Sequence, residues 1–257
     1  MIKKMPIAIL TLCVSLSSCA KDQSMAPPPD SESITVTVKV PKELVARPMQ
    51  VMYRSTLCTF TDHSAFGEAY QRDGYQRTDL QLVREGQGDL YVAKLPIDGG
   101  GVCQWRLSNV TFGVTYDDPA RFGENVTYGA GGGVVVIFDH NNSPRGGADI
   151  KVEGDLTIKK DYYPWVDEEF LGPYKKTVNL TSEGHIYLKY QALQARQVYF
   201  EPVLHPDFVV YSAGPKVKKE GNHTVITYPD GSVEPDGRWG PNFRKLQTIR
   251  QAAESKQ

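Results

Sequence analysis

Five histidines and several runs of carboxylates are the side chains in this sequence best suited to acid–base or metal chemistry. The histidines are spread along the chain, and none has the His-Glu-x-x-His spacing that puts two imidazoles on one helical face. They are His63, His140, His185, His205 and His223. The globular part also lacks the Gly-x-Ser-x-Gly and Ser-x-x-Lys motifs of serine nucleophiles. We therefore predict no catalytic residues, no metal site and no cofactor.

Two patterns resemble a site without satisfying its chemistry. The carboxylates of Asp117-Asp118 and Asp167-Glu168-Glu169 are adjacent in sequence, whereas a glycosidase needs two carboxyls about 5 to 10 Å apart across its substrate. The glycines at 129 and 131–133 precede the β-branched run 134–137. A phosphate-binding glycine loop follows a strand and opens a helix, which is the reverse order. We interpret these glycines as a flexible loop that enters a strand.

The start of the chain resembles the signal of a bacterial lipoprotein. Lys3 and Lys4 precede an apolar run over residues 5–14 that is too short to span a bilayer, and Leu16-Ser17-Ser18-Cys19 follows it. Charge, apolar length, small residues and cysteine come in the order that this signal requires. The resemblance implies that residues 1–18 are removed and that the thiol of Cys19 accepts a diacylglycerol.

The same resemblance implies where the protein resides. Ala20 follows Cys19, and bacterial lipoproteins without Asp at this position are usually sorted to the outer membrane. Two or three acyl chains anchor a protein almost permanently. We therefore expect an outer-membrane, lipid-anchored protein whose folded part faces the periplasm, with display on the cell surface as the other orientation.

Two cysteines remain for the folded region once the signal and the lipidated residue are set aside. Cys58 and Cys103 are far apart in sequence, which is unlike a redox pair, and they have no further soft ligands nearby. In an oxidising compartment such a remaining pair predicts a structural disulfide.

Charge and hydropathy exclude two broad classes of protein. The formal net charge is −1 and stays near neutral after loss of the signal. The basic residues do not form the concentrated stripe that phosphate backbones require, so we predict no nucleic-acid partner. The longest later apolar run is Val134–Phe138, which is the length of a strand, so a later transmembrane helix is excluded.

Hydrophobic periodicity predicts an all-β fold, an antiparallel β-sandwich. Residues 34–40 alternate apolar and polar side chains with the period of two that is typical of a half-buried strand. Similar short segments recur between turns along the chain, so we expect two β-rich lobes. Only residues 191–197 and the tail from Asn242 to Ser255 favour a helix. The predicted divisions are a Pro/Ser-rich tether at 19–33, a disulfide-containing lobe at 34–140, a second lobe at 141–240 and a C-terminal helix or tail at 241–257.

Aromatic side chains among charges are the remaining indication of function. Two segments that resemble loops, 60–75 and the acidic stretch that begins at Asp161, carry them. Aromatic anchors rimmed by charge are typical of protein interfaces, although for the rings of the second segment a place in the core is slightly favoured. The predicted partner-binding residues are Phe66, Tyr70, Tyr75, Tyr162, Tyr163, Trp165 and Phe170.

These features together favour a protein-binding lipoprotein over an enzyme. The order of lipidation box, Pro/Ser tether and β-rich body resembles the immunity lipoproteins that neutralise type VI secretion phospholipase effectors. That resemblance implies a toxin phospholipase as partner, steric inhibition and no catalytic residues to transfer. Two alternatives stay open, a carbohydrate-active or peptidoglycan-remodelling enzyme and a structural component of an envelope assembly.

Overall fold

The computed structural model describes residues 22–140, 147–184, 187–235 and 240–256. The predicted signal peptide and the lipidation site Cys19 lie outside these ranges, so they stay predictions. Within them, no helix is long and apolar enough to cross a membrane.

Strands account for most of the described chain. The first nine are β1 Ser33–Lys39, β2 Leu44–Ala46, β3 Met49–His63, β4 Ala69–Leu80, β5 Val83–Arg84, β6 Leu90–Pro96, β7 Asp98–Gly100, β8 Trp105–Tyr116 and β9 Val126–Tyr128. The others are β10 Gly132–Ile137, β11 Ile150–Lys151, β12 Leu156–Glu169, β13 Lys175–Thr181, β14 Tyr187–Gln191, β15 Gln197–Leu204, β16 Val210–Ala213, β17 Val225–Thr227 and β18 Val233–Glu234. A 3-10 turn spans Pro119–Phe122, and helix α1 spans Phe243–Glu254.

The described strands form two mixed sheets. One has the order β18-β17-β16-β12-β15-β1-β6-β5, with β13 paired to β12 and β9 paired to β13. The other has the order β11-β14-β10-β8-β3-β4, with β2 and β7 also paired to β8. This confirms the predicted all-β fold with a C-terminal helix. Parallel pairs such as β1 with β15 and β10 with β14 make the sheets mixed instead of antiparallel throughout.

The two sheets pack face to face around one large core. Val36 and Val38 of β1 are fully buried while their neighbours are half exposed, as the alternation of this strand predicts. The rings of Phe112 on β8 and Phe200 on β15 meet edge to face across the sandwich at 5.9 Å. Burying each such ring contributes about 2 to 3 kcal/mol to the free energy of unfolding.

The predicted boundary at residue 141 does not separate the sheets. β1 pairs with both β6 and β15, so strands from the ranges 34–140 and 141–240 belong to one sheet. A second, smaller core lies instead on the other face of β12, where Tyr163, Val210 and Leu246 pack under α1. The two hydrophobic cores therefore lie on opposite faces of the same sheet. The reason is that parallel pairing needs long crossovers, which bring distant segments together.

Two of the four glycines before Val134, Gly132 and Gly133, belong to a strand and not to the expected loop, whereas Gly129 and Gly131 precede that strand. Gly132 and Gly133 are buried in β10. A Cβ on Gly132 would lie 2.5 Å from the Tyr162 ring, and one on Gly113 would lie 2.1 Å from the Gly132 carbonyl oxygen. These glycines allow close approach of two strands and a ring.

The tail forms the helix that its sequence predicts, whereas residues 191–197 do not. Asn242 caps α1, and its side chain accepts a hydrogen bond from the Lys245 backbone N–H. Leu246 is fully buried, and Phe243 and Ile249 pack beside it. Between Gln191 and Gln197 the chain makes a turn that connects β14 to β15.

Replacing the cap tests how far α1 depends on it. We expect Asn242→Ala to lower the free energy of unfolding by about 1 kcal/mol, because a backbone N–H of the first turn loses its acceptor. Urea unfolding followed by circular dichroism measures this change. Asn242→Asp keeps an acceptor and should retain the stability of the natural protein. Equal losses in both variants would contradict the capping role.

Candidate functional site: a projecting arm and a docked strap

The outer part of the β3–β4 hairpin projects from the sandwich. From residue 56 to residue 73 no side chain is buried, although Ser55 and Gly74 directly below are. We call residues 56–73 the arm. Sequence analysis predicted a loop here, and the structure corrects this to two paired strands joined by a turn at residues 64–68. Because both faces are exposed, the apolar alternation that marks a strand is missing.

A disulfide and a tight backbone contact hold the base of the arm. Cys58 and Cys103 are bonded, with their Cα atoms 5.4 Å apart, which confirms the predicted pair. The Ser55 hydroxyl donates to the Cys103 carbonyl oxygen at 2.5 Å. A Cβ on Gly74 would lie 1.8 Å from the Cys58 carbonyl oxygen, so only glycine allows the strands to meet here. The arm therefore leaves the body at a rigid point.

One face of the arm combines aromatic rings with an ion pair. The Phe60 and Tyr75 rings meet edge to face at 5.6 Å, and the Arg72 guanidinium lies over Phe60 at 5.7 Å. Arg72 Nη1 also donates to Asp62 Oδ2 at 2.8 Å, and the Tyr70 hydroxyl donates to the same carboxylate at 3.3 Å. The hydrogen bond from Arg72 lowers the pKa of Asp62. We call Phe60, Asp62, Tyr70, Arg72 and Tyr75 the arm face.

Residues 22–32 pack against the same end of the body, where a free tether was expected. We call them the strap. The Gln23 carbonyl oxygen accepts from the Trp105 indole N–H and from the Gln76 side-chain amide, each at 2.8 Å. Further along, the Ala26 N–H donates to the Gly99 carbonyl oxygen at 2.9 Å. A Cβ on Gly100 would lie 2.0 Å from the Ala26 carbonyl oxygen, so the glycines of β7 make room for the strap.

The predicted partner-binding aromatics divide into two groups. Phe66, at the arm turn, is 93% exposed, and Tyr70 and Tyr75 are also exposed. Tyr162 and Tyr163 are fully buried, which corrects their assignment to a partner surface.

The other two predicted partner-binding residues, Trp165 and Phe170, are partly buried. The Trp165 indole N–H donates to Ser212 Oγ at 2.6 Å, and Phe170 is half-buried with Lys216 over its ring. The predicted loop around them is strand β12. Its alternation is masked because between Tyr162 and Val166 it is covered on both faces, by the opposite sheet and by α1.

Two side-chain clusters outside the arm contain titratable groups. His205 Nε2 lies 2.7 Å from Asp161 Oδ1, and its ring stacks on Tyr163 at 4.9 Å. Asp167 accepts a short hydrogen bond from Ser212, and burial raises the pKa of this carboxyl. Ser212 does meet a carboxylate here, but it is buried and its hydroxyl also accepts from the Trp165 indole N–H, so it does not face a substrate. In the described ranges, no three His, Cys, Asp or Glu side chains converge on a possible metal position.

A groove of about 430 Å³ lies beside α1 and includes Asp207 and Asp230. The Asp230 carboxylate accepts hydrogen bonds from the Ser232 N–H and hydroxyl, which lower its pKa. These bonds stabilise the local turn. This groove therefore does not present two free carboxyls to a sugar.

Sequence reasoning missed three members of the arm face and the whole strap. Phe60, Asp62 and Arg72 come together only through the irregular pairing between Ser55 and Phe60, where β3 has extra residues. The glycines at 99–101 were a usable signal for the strap, since three in succession mark close backbone approach as well as a turn. Comparisons of the chain with protein-family models, with curated proteins and with solved structures gave no match, so the site is interpreted from its own residues.

Proposed function

We propose that this protein is a lipid-anchored envelope protein that binds a protein partner through the arm face and carries out no reaction of its own. The observation that carries the proposal is the arm itself. Two strands that bury nothing contribute little to the core, and an isolated hairpin is only marginally stable in water. A disulfide nevertheless fixes this hairpin. We infer that the hairpin contacts another molecule.

The chemistry of the arm face fits a protein surface. Tyrosine and arginine are the side chains that most often dominate binding energy at interfaces. Here Arg72 is held between the Phe60 ring and the Asp62 carboxylate, so it loses little side-chain freedom on binding. The exposed Tyr70 and Tyr75 rings offer apolar area with a polar end.

We propose a phospholipase effector of a type VI secretion system as the partner. The support is the order of lipidation box, strap and β-rich body, which resembles the immunity lipoproteins against such effectors. In this proposal the arm face covers the entrance of the lipase active site and blocks it sterically. In this proposal the anchor keeps the inhibitor at the membrane that the toxin attacks.

The test measures binding to a phospholipase effector encoded beside this chain's gene. We expect the purified pair to form a complex and lipase activity to fall in proportion to the bound fraction. Arg72→Ala and Tyr70→Ala should each weaken binding about tenfold or more, because each removes a central contact of the face. Calorimetry and a phospholipid hydrolysis assay provide the two measurements.

Gln71→Ala is the matched control. Gln71 lies next to Arg72 on the other side of the arm, where its amide donates to Thr61 Oγ1 at 2.8 Å. Its replacement should leave affinity within about twofold. Loss of affinity in all three variants would indicate a general effect on the arm. A deletion strain that resists the effector as well as its parent would refute the immunity proposal.

A further inference from the structure

The strap and the arm lie at the same end of the body. From Glu32 to Gln23 the strap runs along β7 toward Gly101, then past Trp105 to Gln76 on β4. The arm continues in this direction from Gln76, beyond the Cys58–Cys103 disulfide. The segment between Cys19 and Gln23 therefore joins the body at the base of the arm.

The distances at this end restrict how the body can stand on a membrane. Gln23 is four positions after Cys19, which allows a reach of about 14 Å at full extension. The arm extends about 23 Å past Gln76 along β4. In the opposite direction β8 alone runs about 36 Å from Trp105 to Tyr116. A lipid on Cys19 therefore cannot place the Tyr116 end of β8 against the membrane. The arm is also longer than the segment between Gln23 and Cys19.

Exposed apolar side chains are found at this end. Phe66 at the arm turn is 93% exposed, and the turn carries Ala65 and Gly67 on either side of it. At the base of the arm, Leu57 is 60% exposed and Val102 is 61% exposed, each next to a disulfide cysteine. Phenylalanine is a side chain that amphipathic segments commonly insert at the membrane interface.

We propose that the arm turn contacts the phospholipid bilayer, with Phe66 inserted at the headgroup level beside the lipid on Cys19. The inference rests on the anchoring that the proposed function assumes. A single ring is enough because the anchor already confines the domain to the surface, so Phe66 only has to bias its orientation. Burying one phenylalanine shifts such an equilibrium about tenfold to a hundredfold. The arm face then lies close to the bilayer, where a phospholipase acts.

An environment-sensitive fluorophore on the arm turn tests the contact. The full chain carrying Phe66→Cys would be purified with its lipid, labelled with a nitrobenzoxadiazole reagent, and reconstituted on liposomes of phosphatidylethanolamine and phosphatidylglycerol. We expect emission to rise severalfold on liposomes and to be quenched by nitroxide carried on the lipid. Tyr128→Cys is the matched control, because Tyr128 is exposed and bonds to Asp117 at the opposite end of the body. Its label should keep its aqueous emission.

A second variant of the labelled chain changes the reach of the anchor. A Gly/Ser segment of about twenty residues inserted between Ala20 and Gln23 gives the body freedom to leave the surface. Emission from the label at position 66 should then fall toward its aqueous value. Unchanged aqueous emission in the original chain, with the protein bound to liposomes, would overturn the orientation alone. Failure to float with liposomes, with no diacylglycerol on Cys19 by mass spectrometry, would overturn both the anchoring and this inference.

Discussion

Replacing Cys58 and Cys103 together by alanine is expected to lower the free energy of unfolding by about 4 kcal/mol. The bond closes a loop across a sequence separation of 45 residues, and opening that loop returns conformational entropy to the unfolded chain. Cys103 is fully buried, so the loss of its sulfur contacts adds to this effect. Urea unfolding of the oxidised protein and of the double variant provides the measurement.

The reduced natural protein is the control for this prediction. Reductant should shift its unfolding midpoint close to that of the double variant, and should leave the double variant unchanged. The arm is expected to lose more than the body, since Cys58 lies at its base and the rest of it is exposed. Hydrogen exchange of residues 60–72 should therefore accelerate at urea concentrations where β8 stays protected. Equal unfolding midpoints in oxidised and reduced protein would refute this account.

Sequence patterns predicted the strands that have one buried face. In β1 the alternation of Val36 and Val38 with polar neighbours follows directly from one face against the core. These sequence patterns did not predict which strands pair, because an alternation with a period of two does not identify the neighbouring strand. The parallel pairing of β1 with β15 brings together segments about 160 residues apart, between Val36 and Val198. For that reason the proposed boundary at residue 141 does not coincide with a division between the sheets.

Strands with two similar faces were the ones mistaken for loops. The arm is exposed on both faces, and β12 is covered on both between Tyr162 and Val166. In neither segment do apolar and polar side chains alternate regularly, because neither has one face in the core and the other in solvent. The candidate site depends on this distinction, since Tyr70 is available to a partner and Tyr163 is core. Residue types alone do not separate these two tyrosines, because both are aromatic residues among acidic ones.

One buried cation in the larger core departs from the apolar pattern of its strand. Lys160 is 7% exposed and lies on the inner face of β12, between Ile158 and Tyr162. Within the described structure its Nζ has no hydrogen-bond partner and lies 5.6 Å from the centre of the Tyr162 ring. Burial lowers the pKa of this amine to about 8, an effect that the charge of Glu183 opposes in part. The ammonium group therefore destabilises the fold at neutral pH.

This cost has a definite pH dependence. Because the pKa of Lys160 is lower in the folded protein than in the unfolded chain, the unfolded chain binds more protons between about pH 8 and pH 10.5. The free energy of unfolding should rise by about 2 kcal/mol from pH 8 to pH 10 as the folded state sheds the charge. Above pH 10 the trend reverses, since burial raises the pKa of Tyr53 to about 12 and near pH 10 this tyrosine ionises mainly in the unfolded chain.

Lys160→Met is expected to raise the free energy of unfolding at pH 7 by about 2 kcal/mol and to abolish the rise between pH 8 and pH 10. Methionine keeps a similar unbranched chain and removes the charge that burial penalises. Lys159→Met is the matched control. Lys159 is the preceding residue and is exposed, with its Nζ 3.6 Å from Glu201 Oε1, so its replacement should change stability by less than about 1 kcal/mol. Urea unfolding of the three proteins at pH 7, 8, 9 and 10 separates the outcomes. A destabilised Lys160→Met variant would show that the amine is solvated or paired in the folded protein, because only then would its removal cost free energy.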